Sequence, residues 1–290
     1  MPDDAVGALC VLASGSRGNC SVLVVPDRGT RRVVLIDAGL SPRRTASLLH
    51  RLGIEAWEID AILLTHLDSD HAKRSWTQHR HVQAPVFIHT SHRGQARRIG
   101  LFTDRVQTFC DAFQLFDRVH VQPCMLQHDQ LGVVAYRFTL RAESDDRRCV
   151  LGFATDVGRP SRDLIDHVSG CDVLGIESNY CPVMQQESNR PEFLKRRIMG
   201  GSGHLSNEQC LDVVRQARPR DHVVLLHLSE QCNDPERVAR LHEGEGYRLT
   251  ISNQHRPTPW IWLRAGSTQH DRPAGGGRRA ELPLWAEGRL

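Results

Sequence analysis

The sequence predicts an α+β protein whose strands end at polar residues able to carry chemistry. Short apolar runs of the length typical of buried strands alternate with amphipathic segments that begin at helix caps. The first part of the chain shows the order strand, strand, strand, helix, strand, helix, and acids or histidines directly follow several of the strands. The chain also divides into two strand-rich halves. These observations predict mixed α and β structure, with the chemistry collected where strands end.

Apolar runs and capping residues assign each element in chain order. The predicted strands cover residues 9–13, 21–25, 32–36, 60–65, 85–89, three short stretches within 107–123, 133–140, 149–154, 172–176, 222–226 and 248–252. The predicted helices begin near residues 42, 72, 91, 206 and 235. Ser41 followed by Pro42 is typical of a helix start, and Ser206 with Gln209 is predicted to form a capping box.

Length and composition are those of an ordinary globular protein. The 290 residues are 40% hydrophobic and 24% charged, with a formal net charge of +3 and a pI of about 8.4. This charge neither shows nor opposes nucleic-acid binding. After residue 264 the chain becomes rich in glycine and arginine, so we expect one domain over residues 1–264 and a flexible tail over residues 265–290.

Cysteine usage and the N-terminus predict a soluble cytoplasmic protein without a membrane span. The 9 cysteines are scattered singly, with no C-x-x-C pair, so a secreted disulfide framework is not expected. Residues 1–6 contain acids and no basic cluster, and the apolar run over residues 8–13 is too short for a signal peptide or a membrane helix.

Four potential metal ligands follow the buried strand over residues 60–65: His66, Asp68, Asp70 and His71. Spacings of two point to different sides of a helix, so we expect an extended strand end that leads into a turn. His66 and Asp68 would then face one way, and the turn would carry Asp70 and His71 alongside, as two adjacent metal pockets require. The alternative is a polar turn with helix-capping residues, which leaves the two histidines unexplained.

Other strand-end residues leave two interpretations open. Asp37 and Asp156 each stand beside glycine at a strand end. Asp37 either orients a neighbouring ligand or is an ordinary turn acid, and Asp156 is either a site acid or a helix cap ahead of Ser161. His204 precedes a helix N-terminus, where backbone amides favour phosphate, but a histidine can also simply fill a turn. His128 is, on the residues alone, most simply a loop histidine.

The loop over residues 14–19 also has two interpretations. Its spacing favours a glycine-rich hairpin between two strands. The other interpretation is a loop whose backbone amides, together with Ser16 and Asn19, bind a phosphate. The loop lacks the Lys-Ser/Thr end of a P-loop, and no helix is predicted after it, so a nucleotide-binding loop is disfavoured.

Several of these motifs together resemble the metallo-β-lactamase superfamily. The run from His66 to His71 resembles its His-X-His-X-Asp-His signature, with Asp68 in place of the second histidine. The Ser-Gly-Ser-x-Gly-Asn run over residues 14–19 and the Gly-His-Leu-Ser-Asn run over residues 203–207 are similar to the YycJ (WalJ-like) branch of the superfamily. The resemblance covers roughly residues 9–251. Tyr180 and Cys181 stand where that branch has His and Asp.

The resemblance implies a fold and a set of site residues. The fold is a four-layer αββα sandwich, with two facing mixed sheets and helices outside. One metal pocket would use His66, Asp68 and His128, the other would use Asp70, His71 and His227, and Asp156 would bridge them. Asp70, Asp37 and His204 are expected to serve catalysis, and the phosphate-binding residues would be Ser16, Asn19 and His204.

The implied chemistry is hydrolysis by two divalent metal ions. Imidazole and carboxylate ligands suit zinc or manganese. Two such ions lower the pKa of a shared water toward about 7, so that a metal-bound hydroxide can attack phosphorus at neutral pH. The YycJ branch is associated with 5′-to-3′ exonuclease activity, which makes DNA the expected partner. The alternatives are a thioester, lactone or other small-ester hydrolase on the same site, and a metal-poor binding module suggested by Asp68.

Overall fold

Two mixed β-sheets face each other in the computed structural model, which describes residues 1–2, 4–79, 82–143 and 147–266. The strands are β1 (Ala5–Ala13), β2 (Cys20–Asp27), β3 (Thr30–Ile36), β4 (Ile59–Leu63), β5 (Val86–His89), β6 (Val106–Phe109), β7 (Phe113–Phe116), β8 (Val119–Leu126), β9 (Val133–Arg141), β10 (Arg148–Ala154), β11 (Val173–Glu177), β12 (His222–Leu226), β13 (Arg248–Ile251) and β14 (Ile261–Arg264). The first sheet has the spatial order β14-β1-β2-β3-β4-β5-β6, and the second sheet has the order β13-β12-β11-β10-β9-β8-β7.

Helices connect many of these strands. The α-helices are α1 (Pro42–Arg51), α2 (Arg93–Arg98), α3 (Arg162–Val168), α4 (Pro182–Glu187), α5 (Glu192–Met199), α6 (Asn207–Ala217) and α7 (Pro235–Leu241), and short 3-10 helices cover Ala56–Glu58, Arg74–Trp76 and Thr90–His92. Two predicted helix starts are confirmed by their caps. The Ser41 hydroxyl accepts a hydrogen bond from the backbone amide of Arg44, and Ser206 forms the predicted capping box with Gln209.

Alternating side chains along the strands separate the interior into layers. On β1, Leu9 and Val11 belong to the core between the two sheets, whereas Cys10 and Leu12 face outward and pack in one cluster with Leu49 of α1. The outer face of the second sheet packs in the same way against α3, α6 and α7. The layers therefore run helix, sheet, sheet, helix, which confirms the predicted four-layer αββα sandwich.

The direction of the strands collects their polar ends at one edge. Strands β3 to β6 are parallel to one another in the first sheet, and β10 to β13 are parallel in the second. The carboxyl ends of parallel strands meet at the same edge of a sheet, and ligands usually bind there. The loops that follow β3, β4, β10, β11 and β12 all begin at this edge, which we name the metal edge.

The helix predicted to start near residue 72 is wrong. The carbonyl oxygen of Asp68 accepts hydrogen bonds from the backbone amides of His71 and Ala72, both at 2.8 Å, which closes a tight turn. Ala72 then forms a parallel β-bridge with Ala38, and the amide of Lys73 donates to the Ala38 carbonyl. The backbone after the turn thus continues the first sheet, and only a short 3-10 helix follows.

The structure also contains elements that the sequence patterns did not predict. Helices α4 and α5 lie between β11 and α6, and β14 closes the edge of the first sheet. Pro182 and Pro191 stand at the starts of the two helices and interrupt the hydrophobic period. The helix predicted from residue 91 begins as a 3-10 turn and becomes α2 only at Arg93.

The described chain ends just after β14. The amide of Ala265 donates to the carbonyl of Asp4 at 3.1 Å, and Gly266 bridges to Arg148. Residues 267–290 of the predicted tail lie outside the described residues. Among the helices that are described, no segment has both the length and the apolar character that crossing a membrane requires.

Candidate metal centre

The strand ends of both sheets bring the predicted site residues together. Asp37 follows β3, Asp156 follows β10 and His227 follows β12. All three have left-handed backbones, with φ angles of 62°, 53° and 54°. This conformation is unfavourable for residues other than glycine and is concentrated at functional sites, where the surrounding structure enforces it. The strained turns direct these side chains inward at the metal edge.

The first predicted pocket is formed by His66, Asp68 and His128. One potential ligand atom from each lies within 4.8 Å of those of the other two. His128 Nδ1 donates to the Gly203 carbonyl at 3.0 Å, which leaves its Nε2 as the nitrogen with a free lone pair. Asp68 is the most exposed of the seven predicted metal ligands, with 43% of its side chain accessible, and its Oδ2 lies 3.9 Å from His66 Nε2.

His66 carries a buried nitrogen without a hydrogen-bond partner. The Thr65 hydroxyl lies 2.9 Å from Asp37 Oδ1 and 3.1 Å from His66 Nδ1. Since the hydroxyl hydrogen goes to the carboxylate, its oxygen accepts from His66 Nδ1, and the His66 lone pair is on Nε2. That Nε2 is buried and has no partner among the described residues. Such an orphaned acceptor is costly unless a cation or a donor meets it.

The second predicted pocket is formed by Asp70, His71 and His227. Asp70 Oδ2 lies 3.8 Å from Nε2 of both histidines. His71 Nδ1 lies 2.7 Å from Asp37 Oδ2, and His227 Nδ1 lies 2.9 Å from Asp156 Oδ2. Each of these carboxylates accepts from Nδ1, so both histidines direct Nε2 towards the pocket, as His66 and His128 do in the first.

Asp156 connects the two pockets. Its Oδ2 lies 2.9 Å from His71 Nε2, and it also groups with His66 and His71 within 4.8 Å. Burial alone would raise the pKa of the Asp156 carboxyl, but His227 and His71 hold that pKa well below its usual value. Burial would lower the pKa of His71, yet Asp156 and Asp37 raise it well above the usual value. The Asp156 carboxylate is therefore stabilised in its charged form between the two pockets.

The donor set fits divalent metal ions. Imidazole nitrogens and carboxylate oxygens surround the centre, and the unpartnered nitrogen of His66 supplies a position that a cation would fill. The structure thus brings the seven predicted metal ligands together in overlapping groups of potential donors. Those ligands are His66, Asp68, Asp70, His71, His128, Asp156 and His227.

Asp37 holds His71 from behind. Its carboxylate accepts from His71 Nδ1, from the Thr65 hydroxyl and from the Thr65 backbone amide, at 2.7 to 3.0 Å. The side chain is almost completely buried. This geometry corresponds to the orienting role that was one interpretation of its sequence position.

We expect Asp37→Asn to lower metal affinity about 10- to 100-fold, as the loss of a ligand-orienting partner typically does. The asparagine amide would present a donor to His71 Nδ1, and so favour the tautomer whose Nε2 cannot bind metal. Titration of chelator-stripped protein with zinc measures the affinity. Asp60→Asn is the matched control, because Asp60 accepts from the Val33 amide at the start of β4, away from the metal edge. Equal affinities of the two variants would contradict the prediction.

Glu177 is a site residue that the sequence reasoning did not identify. It ends β11, is completely buried, and its Oε1 lies 2.6 Å from His204 Nδ1. Its Oε2 accepts from the backbone amides of Val157 and Leu205 at 2.9 and 3.2 Å. Its position in the sequence could have identified Glu177 as a site residue, because it is an acid at the end of a buried strand, as Asp37 and Asp156 are.

His204 lies beside the metal ligands and reaches solvent. Its Nδ1 is 3.5 Å from Asp156 Oδ1, and 21% of its side chain is exposed. Burial works against its charged form, but Glu177 more than compensates and raises the pKa of His204 to about 9. Because Glu177 occupies Nδ1, the nitrogen available to another group is Nε2.

Asn19 holds the loop over residues 14–19 against the second pocket. The Asn19 Oδ1 accepts from the Ser14 hydroxyl and the Gly15 amide, and its Nδ2 contacts the Gly15 carbonyl and His71 Nε2. These contacts engage both the oxygen and the nitrogen of the amide within the protein. Ser16 is instead exposed at the loop surface. Of the two residues predicted to bind phosphate here, Ser16 is accessible and Asn19 is already engaged.

The two positions that depart from the YycJ-like pattern are structural in character. Tyr180 is buried in a small cluster with Ile198 and Cys232, and burial raises the pKa of its hydroxyl to about 12. Cys181 precedes α4, is buried, and its Sγ accepts from Arg237 at 3.3 Å.

The chain is similar in sequence to one protein family and to two curated bacterial proteins. The family described as the Metallo-beta-lactamase superfamily matches residues 14–184. Exodeoxyribonuclease YycJ of Bacillus anthracis is 29% identical over 238 residues, which cover 80% of this chain and 85% of that protein. Exodeoxyribonuclease WalJ of Streptococcus pneumoniae serotype 2 (strain D39 / NCTC 7466) is 29% identical over 234 residues, which cover 78% of this chain and 83% of that protein.

Solved structures share the architecture at lower identity. A diphosphatase of the PhnP family has a TM-score of 0.60 and 17% identity, with 89% of this chain and 98% of that chain covered. Zn(2+)-bound PqqB from Methylobacterium extorquens has a TM-score of 0.58 and 15% identity, with 87% and 99% covered. At these identities the likeness concerns the fold alone. The family match extends over more than half of the sequence, so the chain belongs to the metallo-beta-lactamase superfamily.

Proposed function

We propose that this protein is a metal-dependent phosphodiesterase that degrades DNA as a 5′-to-3′ exonuclease. The observation that carries the proposal is the pair of donor pockets joined by Asp156, with the unpartnered His66 nitrogen in one of them. The choice of DNA is supported by the similarity to exodeoxyribonucleases, which covers four fifths of the chain.

Two divalent ions, zinc or manganese, are the proposed cofactors. His66, Asp68 and His128 would hold one ion, and Asp70, His71 and His227 would hold the other, with Asp156 between them. When bound, such ions lower the pKa of a water molecule and neutralise charge that develops on phosphate oxygens.

Side chains of the protein would transfer the protons of the reaction and bind the phosphate. Asp70 Oδ2 is positioned between His71 and His227 and would accept the proton of the attacking water. His204 is held by Glu177 with Nε2 free, so it would contact the phosphate and donate a proton to the leaving oxygen. Ser16, exposed on the loop before β2, is a further proposed contact for the phosphate.

A direct test is the release of nucleotides from linear DNA labelled at one end. We expect a 5′-terminal label to be released first as a mononucleotide, and a 3′-terminal label only at the end of the reaction. Parallel assays with a thioester and a lactone examine the small-ester alternative. Turnover of those esters without DNA hydrolysis would overturn the proposal. The metal-poor alternative is disfavoured by the buried, unpartnered nitrogen of His66.

Asp68→His is expected to raise zinc occupancy of the first pocket. A carboxylate is a harder ligand than imidazole, has a shorter side chain, and here is half-exposed. Wild-type protein should therefore bind zinc more weakly in this pocket than in the second, or should prefer manganese there. Anomalous scattering from crystals grown with each metal measures the occupancy of each pocket. Full and equal zinc occupancy of both wild-type pockets would show that Asp68 replaces the histidine without loss.

The cellular location and the domain organisation of the protein are two further proposals. The 9 cysteines are all free thiols in the described residues, which suits a reducing compartment, so we propose a cytoplasmic location. We also propose that residues 1–264 form the catalytic domain and residues 265–290 a separate tail.

A further inference from the structure

Helix α5 lies on the rim of the metal centre. The amide of His204 donates to the Ile198 carbonyl at 3.1 Å, and the amide of Asp129 donates to the Ser202 carbonyl at the same distance. Arg197 forms an ion pair with the Asp129 carboxylate, next to the metal ligand His128. The last turn of α5 and the segment after it therefore contact the residues that border both His128 and His204.

The two sides of α5 differ in character. Leu194 and Ile198 pack inward against the cluster that contains Tyr180 and Cys232. Phe193, Arg196 and Arg197 are exposed, and Phe193 is 68% accessible. Residues at positions i, i+3 and i+4 share one face of a helix, so an aromatic ring and two guanidinium groups stand together on the outer face.

The charge around this face is predominantly positive. The α4–α5 segment and the neighbouring loop after Asp156 contribute five cationic side chains: Arg159, Arg190, Lys195, Arg196 and Arg197. The nearby acids are Glu187 and Glu192 within the two helices and Asp129, which pairs with Arg197. Arg196 forms no ion pair with any residue that the structure describes. Arg159, three residues after Asp156, is exposed and lies beside Gly201 in the segment that follows α5.

We propose that the outer face of α5 binds single-stranded DNA at the entrance to the metal centre. Phe193 would stack on an unpaired base, while Arg196 and Arg159 would contact the phosphates on either side. Arg197, fixed by Asp129, would keep α5 next to His128. The proposal rests on the proposed DNA hydrolase function and adds to it the form of DNA and the residues that hold it.

The combination of groups selects a single strand rather than a duplex. An aromatic side chain can stack only on a base whose face is free, and in a duplex those faces are covered by neighbouring base pairs. Cationic side chains alone would bind either form, because they contact only phosphates. The exposed ring of Phe193 beside the guanidinium groups of Arg196 and Arg197 is therefore the feature that favours a single strand.

The test uses full-length, metal-loaded protein and compares Phe193→Ala and Arg196→Ala with two matched controls. Trp57→Ala removes an aromatic side chain that is 72% exposed, and Arg51→Ala removes an exposed arginine. Both controls lie near the start of β4, at the end of the strand opposite the metal edge. Binding is measured by fluorescence anisotropy with a phosphorothioate oligodeoxythymidine that resists hydrolysis. Hydrolysis is measured on unmodified single-stranded DNA and on bis(p-nitrophenyl) phosphate, which has no bases.

We expect Phe193→Ala to weaken single-strand binding about tenfold, the order expected for one stacked base. The ratio of DNA turnover to small-diester turnover should fall by a similar factor, while Trp57→Ala keeps the wild-type ratio. Phe193→Trp should restore binding, because indole also stacks. Equal binding by Phe193→Ala and Trp57→Ala would overturn the proposal, as would wild-type binding of duplex DNA or single-stranded RNA at least as tight as that of single-stranded DNA.

A salt series provides an independent measurement. Each phosphate neutralised on a single strand contributes about −0.7 to the slope of log K against log salt. Arg196→Ala should therefore make the slope shallower by about 0.7, and Arg51→Ala should leave it unchanged. An unchanged slope for Arg196→Ala would remove that residue from the interface. A wild type that binds single strands through Phe193 but hydrolyses no DNA would support this face and refute the proposed function.

Discussion

Replacing Asp156 with alanine is expected to abolish hydrolysis and to empty both metal pockets. Its carboxylate lies 2.9 Å from His71 Nε2 and from His227 Nδ1, and it groups with His66 on the other side. Removal of a carboxylate shared by two cations costs several kcal/mol of charge stabilisation, so the rate should fall at least about a thousandfold. Metal content per chain and kcat/KM on DNA are the measurements.

Two further variants distinguish the effect of losing the Asp156 charge from the effect of straining its backbone. Asp156 has a left-handed backbone, which alanine tolerates less well than asparagine. Asparagine tolerates the left-handed backbone at this position, and the Asp156→Asn protein should still lose metal and activity. Asp172→Asn is the control, because Asp172 is another buried carboxylate of the second sheet that accepts from the Val150 amide at the far end of β11. An Asp156→Asn protein with wild-type metal content and activity would refute the bridging assignment.

Replacing His204 with glutamine is expected to lower kcat on DNA about 10²- to 10⁴-fold while metal content stays at the wild-type level. Glutamine fills similar space but cannot transfer the proton that the imidazole would donate. Glu177→Gln should act in the same direction with a smaller loss, because it weakens the contact that fixes His204 Nδ1.

His222→Gln is the matched control for His204. His222 is a buried histidine at the start of β12, away from the metal edge, and its Nε2 contacts the Thr250 hydroxyl at 2.9 Å. This variant should retain kcat. A His204→Gln protein that loses metal would identify His204 as a metal ligand instead, and one that keeps full activity would remove it from the mechanism.

The strand-end pattern and the resemblance to the metallo-β-lactamase superfamily together explain why most of the site could be predicted from the sequence. In parallel strands, side chains placed directly after the last apolar residue reach the same edge of the sheet. Asp37, the run from His66 to His71, Asp156 and His227 all follow this rule. The strand and helix patterns predicted mixed α and β structure, and the four-layer sandwich was implied by the resemblance to the metallo-β-lactamase superfamily.

Other features depended on contacts between distant segments. Glu177 ends a strand like the other acids, but only the structure shows its contact with His204, which lies 27 residues away. The left-handed backbones of Asp37, Asp156 and His227 have no local sequence signal, because glycine would be the usual residue there. The structure after His71 was predicted as a helix because pairing with Ala38 cannot be seen locally.

Asn19, in the loop after β1, is another residue whose role could not be predicted from the sequence alone. The spacing favoured a glycine-rich hairpin, and a phosphate contact by Asn19 was the other interpretation; both require a polar side chain. Its four contacts with Ser14, Gly15 and His71 show that it holds the loop onto the second pocket. Ser16, on the same loop, is exposed.

The most direct test of the central claim is the metal content of the full chain, purified without chelator and assayed on DNA before and after metal removal. We expect about two divalent ions per chain, loss of DNA hydrolysis on chelation, and recovery when zinc or manganese is returned. Substoichiometric metal together with DNA hydrolysis that survives chelation would contradict the assignment of the pockets around Asp156 as a dinuclear hydrolytic centre.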